Sequence, residues 1–336
     1  MTTPTETEIA RLLSGALRPR LGLINENHDT AFRLFNGFYE GLPTLVADVY
    51  ARTLVLFSYC EDEVDSIALT QTARDFYLDS LPWIKSVVVK HRLSPDGLSR
   101  KGLITFGGKP DEQILENGIR YAVDLQLNQD ASFYLDTHGL RSWLLENAGG
   151  LDVLNTFAYT GSLGVAALFG GARRVVQMDR SQKFLDLARS SAALNHLDFG
   201  KMKLAAVDFF VGMGQLKRAG ASFDLAIIDP PFFSITEKGV VDQVTESHRL
   251  INKIRPLIKD GGRIVAINNA LFVSGKQYLD LLEKLGGDGY LSVDELISIP
   301  EDFTGFTETR VIKPPADPAP FNHPTKIAVL RVKRKG

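Results

Sequence analysis

Cysteine is all but missing from this 336-residue chain: Cys60 stands alone, so no intramolecular disulfide and no cysteine metal cluster can form. Histidine is also sparse, with six residues scattered and no recognisable ligand pair, and no metal is expected. No apolar run is long enough to span a membrane. The N-terminus MTTPTETEIARLLSGALRPR lacks the apolar core of a secretory signal, so the expectation is a cytoplasmic protein. A basic excess is missing as well. Lys and Arg number 38 against 40 Asp and Glu, a net charge of −2, so any hold on nucleic-acid phosphates must come from a local patch. Basic residues gather at Lys85, Lys90, His91, Arg92, Arg100 and Lys101, and again at Arg331, Lys333, Arg334 and Lys335. The plain reading of each cluster is a solvated strand edge or tail.

What is present is core: 44% hydrophobic residues, enough for one large domain and a small one. Residues 1–125 read as a small α+β domain. A helix is expected over 8–20 from Ile9, Leu12, Leu13 and Leu17 at helical spacing, then strands at 44–49 and 53–57 and a helix at 65–81 that stops before Pro82. Strands at 83–90 and 118–125 flank a loop rich in Gly, Pro and charge. Residues 126–336 then alternate in the βα pattern of a parallel sheet. Strands fall at 151–156, 173–178, 202–207, 223–228 and 262–268, and helices at 162–170, 181–195, 209–218, 241–258 and 274–285. Strand-like segments at 295–299 and 326–332, separated by the Pro-rich KPPADPAPFNHP, would close the sheet with one antiparallel strand. The Pro-rich loop reads as rigid surface.

The chain is organised around LDVLNTFAYTGSLG, residues 151–164. A short buried strand runs through a turn bearing Gly161 and Gly164 into a helix, the outline of a nucleotide site, because a Cβ would obstruct both positive φ and close approach of a ligand to main chain. Two glycines fall short of a full dinucleotide fingerprint, and a tight βα turn of any α/β protein would look the same. The next strand ends in Asp179, 18 residues past Gly161 and near the ~20 at which a carboxylate reaches ribose hydroxyls. Further strands end in Asp208 and Asp229. In an open α/β sheet ligands bind at that edge.

Strand, Gly turn, Asp179, Asp208 and Asp229-Pro230-Pro231-Phe232 resemble the successive motifs of a class I S-adenosylmethionine (SAM) dependent methyltransferase. More narrowly, YAVDLQLNQDASFYLDTHGLRSWL, VLNTFAYTGSLGVAAL, FDLAIIDPPFF and HPTKIAVLRV are similar to the bacterial family of large-subunit ribosomal RNA methyltransferases. The match runs from about Arg33 to Val332, is dense between Tyr121 and Phe233, and is most specific in VLNTFAYTG and IIDPP. The resemblance implies a Rossmann-like sheet of seven strands, the last antiparallel, behind a small α+β domain. It implies SAM held by Phe133, Asp136 and Arg141 of a lid segment, by Asn155, Phe157, Ala158, Tyr159, Thr160 and Gly161 of the turn, and by Asp179, Arg180, Asp208, Phe209 and Asp229. The lid segment could equally be a linker whose aromatics plug a domain interface. The family often carries an RNA-binding module ahead of this domain, for which the chain is expected to have no room. A Gly and a Lys usual in the family are replaced by Asn128 and Asp130, so a positive charge near the substrate side is missing.

Catalysis is expected at Asp229, Pro230 and Phe232. Methyl transfer from a sulfonium needs a nucleophile held in line with the methyl group. A carboxylate and a main-chain carbonyl accepting the N–H bonds of a base amine localise its lone pair, and an aromatic ring can stack on the base. The competing reading makes Asp-Pro-Pro a strand end and Phe232 a core residue, with Phe233 open to either role. One branch of the family methylates carbon 5 of cytosine through a cysteine thiolate. Its place is taken here by Asn268 and Asn269, which could contact the base instead, and Cys60 belongs to the other domain. The expected activity is therefore direct, non-covalent methylation of a base nitrogen in RNA, with ribosomal RNA as partner, no membrane, no metal and the oligomeric state open. A methyltransferase acting on a protein or small molecule, or an inactive SAM-binding RNA-assembly factor, are the alternatives. A nicotinamide oxidoreductase has no use for IIDPPFF.

Overall fold

The chain divides into two compact units, residues 1–135 with 300–313 and residues 136–299 with 314–336. The computed structural model describes residues 4–236, 239–244 and 247–334; Lys335 and two positions of the helix expected at 241–258 lie outside the described residues. The boundary falls later than the expected 125/126, and the first unit takes back a distant segment. Its polar partners explain why. Arg33 N–H donates to Asp302 Oδ2 (2.9 Å), Asn36 Nδ2 to the Phe303 carbonyl (2.7 Å) and Val311 N–H to the Tyr39 carbonyl (2.8 Å). Buried Arg20 donates to both oxygens of Glu40 (2.8 and 3.1 Å) and to the Asp302 carbonyl (2.8 Å). A guanidinium out of water survives only when its donors are satisfied, and the segment supplies one acceptor.

The first unit is a five-stranded sheet ordered β1 (Ala31–Asn36), β2 (Leu45–Tyr50), β3 (Thr53–Ser58), β4 (Ser86–His91), β5 (Leu103–Gly107). Only β3 and β4 are parallel, and the helix Glu63–Ser80 makes the crossover between them. With the helix Glu6–Arg20 it packs Ile9, Leu13, Leu17, Leu69, Ala73 and Tyr77 against the inward residues of the sheet. β1 and β5 were not foreseen. The expected strand at 118–125 is the short β7 (Ile119–Ala122), paired with β6 (Gln113–Glu116) as a separate hairpin. The side chains of the cationic stretch 90–92 are engaged within the fold. Buried Lys90 donates to the carbonyls of Lys101 and Asn128, burial lowers its ammonium to about 8, and Arg92 is paired with Asp130 (2.8 Å).

The second unit is a seven-stranded sheet. Its strands are β8 (Asp152–Thr156), β9 (Arg174–Asp179), β10 (Met202–Ala206), β11 (Phe223–Ile228), β14 (Ile258–Asn268), β15 (Leu291–Ile297) and β16 (Lys326–Val332), in the order β10-β9-β8-β11-β14-β16-β15. The first five are mutually parallel, and β16 runs antiparallel between β14 and β15. The expected helix at 241–258 is shorter than its range. Residues Phe233–Thr236 (β12) and Gly239–Asp242 (β13) form an antiparallel hairpin, and helix spans Ser247–Ile254, giving way to a 3₁₀ turn at Arg255–Leu257. The β-branched pair Val240-Val241 favours strand, and Pro256 cannot continue an α-helix. β15 starts four residues before the expected 295, its alternation interrupted by a register shift between Val293 and Glu295.

Candidate functional site

Strand register alone assembles the site. β8 lies between β9 and β11, with Thr156 opposite both Met178 and Ile228. Phe157, Asp179 and Asp229 therefore leave the sheet side by side, on strands spaced ~4.8 Å apart. The order reverses at β8 and β11, so the crevice at their carboxyl ends is the ligand-binding position of an open parallel sheet.

The loop that leaves β8 is under backbone strain and is pinned by Asp179. Phe157 (φ 53°) and Tyr159 (φ 50°) are both left-handed, a conformation ordinary side chains resist. Asp179 compensates with both carboxylate oxygens: Oδ2 accepts the Tyr159 N–H (2.8 Å) and Oδ1 the Ser181 N–H (2.9 Å). The Arg180 main chain bonds the same carboxylate, which still leaves an acceptor position that a ribose hydroxyl can use. Burial pushes this carboxyl up from its ordinary range, against the pull of those N–H groups. Ala158 N–H closes the loop onto the Met178 carbonyl (2.9 Å). Gly161 (φ 75°) caps the helix Ser162–Phe169, and a Cβ there would lie 2.4 Å from the Ala188 Cβ. At Gly164 it would lie 2.4 Å from Gln177 Cδ. The glycines are thus demanded by packing against β9 and the helix Gln182–Leu194, rather than by room for a ligand alone.

Asp208 caps the helix Phe209–Arg218, its Oδ1 accepting the Phe210 N–H (2.9 Å) and the Val211 N–H (3.4 Å). Buried Phe209 stacks on Phe157 (4.8 Å between centroids, 22° between planes), and Tyr159 meets Phe184 edge-on. Thr160 is buried and Arg180 exposed. Asn155, buried on β8, donates to Gln177 Oε1 (3.0 Å), while its own Oδ1 is buried without a partner. Of the lid segment, Phe133 falls in the first unit, buried against Tyr121. Asp136 and Arg141 fall in the second. Asp136 Oδ2 accepts from Thr325 Oγ1 (3.1 Å), and buried Arg141 donates to Thr137 Oγ1 (2.7 Å) from within the helix His138–Asn147.

Asp229 directly follows β11, its carboxyl pushed up to about 7, first by burial and then by the Asp136 carboxylate. Pro230 is buried, whereas Phe232 and Phe233 are about half exposed, so neither ring is a core residue. A residue that no sequence motif marks holds this segment. Gln243 is 1% exposed; its Nε2 donates to the Pro230 carbonyl and its Oε1 accepts the Asn269 N–H (2.6 Å). Its main chain donates to the Phe232 carbonyl (3.1 Å) and accepts from Asn268 Nδ2 (2.9 Å). Asn268 is thereby spent on structure, and Asn269 keeps a buried Oδ1 without a partner. Among the described residues no group of His, Cys, Asp and Glu is placed to hold a metal ion.

The profile of S-adenosylmethionine-dependent methyltransferases matches residues 33–304. The ribosomal RNA large subunit methyltransferase I of Aeromonas hydrophila is 32% identical over 288 residues, 84% of this chain and 70% of that protein. The protein of the same name from Alteromonas mediterranea is 30% identical over 301 residues, 86% and 72% respectively. In three dimensions the chain is similar to the crystal structure of SMU.776 complexed with SAH, with a TM-score of 0.85, 25% sequence identity, and 99% of this chain and 83% of that one covered.

Proposed function

We infer, on the premise that this chain belongs to the S-adenosylmethionine-dependent methyltransferase family, that it methylates a base nitrogen of ribosomal RNA by direct transfer. The cofactor is S-adenosyl-L-methionine, and the second unit fits it. Asp179 offers lone pairs to ribose hydroxyls beside the strained loop 157–161, and two neighbouring carboxyls, Asp136 and Asp229, suit a ligand that brings positive charge. When bound, SAM supplies an electrophilic methyl group on a sulfonium. Phe157, Ala158, Tyr159, Thr160, Gly161, Arg180, Asp208 and Phe209 would complete its surroundings, with Asn155 presenting its unpaired Oδ1 and Arg141 steadying the Asp136 side.

The observation that carries the reading is the end of β11: an acceptor, Asp229, set beside the β8 loop, followed after two prolines by a half-exposed ring, Phe232. A base stacked on that ring brings its nitrogen towards the Asp229 carboxylate, which accepts an N–H bond and, titrating near neutrality, can take the proton that the nitrogen sheds on methylation. The Pro230 carbonyl already accepts from Gln243, and its second lone pair remains for the substrate. The unit that carries Asp229 contains no cysteine of its own, which supports transfer without covalent addition to the base. The relatives' names supply the choice of ribosomal RNA, and action on it would place the protein in the cytoplasm. Among the described residues no helix is long and apolar enough to cross a membrane.

The test is transfer of labelled methyl from SAM to ribosomal RNA of a strain lacking the gene, followed by nucleoside mass spectrometry. A base carrying one added methyl on nitrogen is expected. A methyl on a pyrimidine carbon would overturn the nitrogen assignment, and label confined to protein or small molecules would overturn the RNA substrate.

A further inference from the structure

Exposed apolar surface in the second unit is concentrated. Apart from Phe169 and Phe199, its large apolar side chains exposed among the described residues are Phe232, Phe233, Val244, Leu271 and Phe272. All five belong to the segments that Gln243 joins: the turn after β11 with the first residue of β12, the residue after Gln243 itself, and the turn after β14. Phe272 is the most exposed of them, at 75%. The joint is short. Pro230 and Asn269 both bond the one side-chain amide of Gln243, so the two turns are within a few ångströms of each other at that point. Asn268 reinforces it by bonding the Gln243 carbonyl and Ser247 Oγ (3.1 Å). A large ring left in water on a turn has no stabilising role in the fold, and a cluster of them marks a contact surface.

We propose that Phe272 is a second stacking face for the substrate, receiving an unpaired nucleobase that flanks the target base on Phe232, and that Gln243 is the positioning residue that keeps the two faces together. This rests on the reading of RNA as substrate. The chemistry favours a base over other occupants. Enzymes that modify a base must take it out of its stack, and its neighbour then loses a stacking partner that an aromatic side chain replaces. The faces stand at the edge of the sheet that carries Asp229, where the unstacked base must arrive. Stacking tolerates any base, so Phe272 would add grip without choosing sequence.

The experiment is steady-state methylation of large-subunit ribosomal RNA from a strain lacking the gene, with SAM affinity measured by calorimetry alongside. Phe272→Ala should raise the KM for RNA about 5- to 150-fold while leaving kcat and SAM affinity within about twofold. Phe272→Trp should keep the wild-type KM, and Phe272→Leu should behave as the alanine variant. Gln243→Glu keeps the acceptor for Asn269 but removes the donor to Pro230, and should raise KM and lower kcat together with SAM affinity unchanged. Wild-type kinetics in Phe272→Ala, or full rescue by leucine, would overturn the stacking role while leaving the RNA reading intact. A wild-type enzyme that transfers methyl to no RNA would overturn both.

Discussion

Replacing Asp229 by Asn should make the protein more stable and less active, and the structure sets the size of the gain. The Asp229 carboxyl is raised from 3.8 to about 7 by burial and by Asp136. At ~1.36 kcal/mol per unit, that shift amounts to roughly 4 kcal/mol between the folded and unfolded states. The sign follows from where the proton sits. Below about pH 4 both states are protonated and the stability is fully present. Between pH 4 and 7 the unfolded chain releases the proton while the folded one retains it, so stability falls as pH rises. Above pH 7 the folded carboxyl ionises too, and the loss is complete. Asparagine cannot ionise and avoids the loss. The stability difference between the variant and wild type, from urea unfolding followed by the fluorescence of Trp143, the second unit's only tryptophan, should grow by ~1.4 kcal/mol per pH unit between pH 4 and 7 and then level off. Asp136→Asn in place of Asp229→Asn should move the inflection of wild type downwards without abolishing it, because burial is the larger cause. Methyl transfer by Asp229→Asn should fall by ~10²–10³. A stability difference that does not vary with pH would refute the reasoning, whatever happened to activity.

Asp179→Ala should weaken SAM binding about 10- to 150-fold by calorimetry, through the lost ribose acceptor and the loosened loop 157–161; unchanged affinity would remove Asp179 from the cofactor site. Gly164→Ala should cost about 1–3 kcal/mol in urea unfolding, because its Cβ meets Gln177 Cδ at 2.4 Å, and shortening Gln177 to Ala in the same chain should recover part of that; additive losses would count against the contact. Cys60→Ser should retain full methyl transfer in a SAM assay, and a folded, SAM-binding but dead variant would reinstate a thiolate mechanism.

The glycine turn, Asp179 and the Asp229-Pro230-Pro231-Phe232 run were legible because each is local. A turn, a strand end and a diproline are written in consecutive residues. The parallel sheet was legible for the same reason: β8, β9 and β11 are largely buried on both faces and read as apolar runs. Elements without such a run were missed or misplaced. β5 is exposed throughout, β12 had no counterpart in the expected elements, and β13 runs into the start of the helix expected at 241–258.

The sequence by itself determined that carboxylates end the strands of a parallel sheet, that no intramolecular disulfide can form, and that the one cysteine lies far along the chain from the Asp229 motif. Only the tertiary structure decided which of those carboxylates do what. Asp208 is turned to a helix cap, Asp179 accepts the main-chain N–H groups of Tyr159 and Ser181, and Asp229 is raised first by burial and then by Asp136, a residue distant in sequence. It decided too that 300–313 belongs to the first unit and that Gln243 joins two turns. The physical reason is common to all of these. A buried polar group must find its partner wherever the fold brings one, and that partner is set by strand register and packing, which no local pattern encodes.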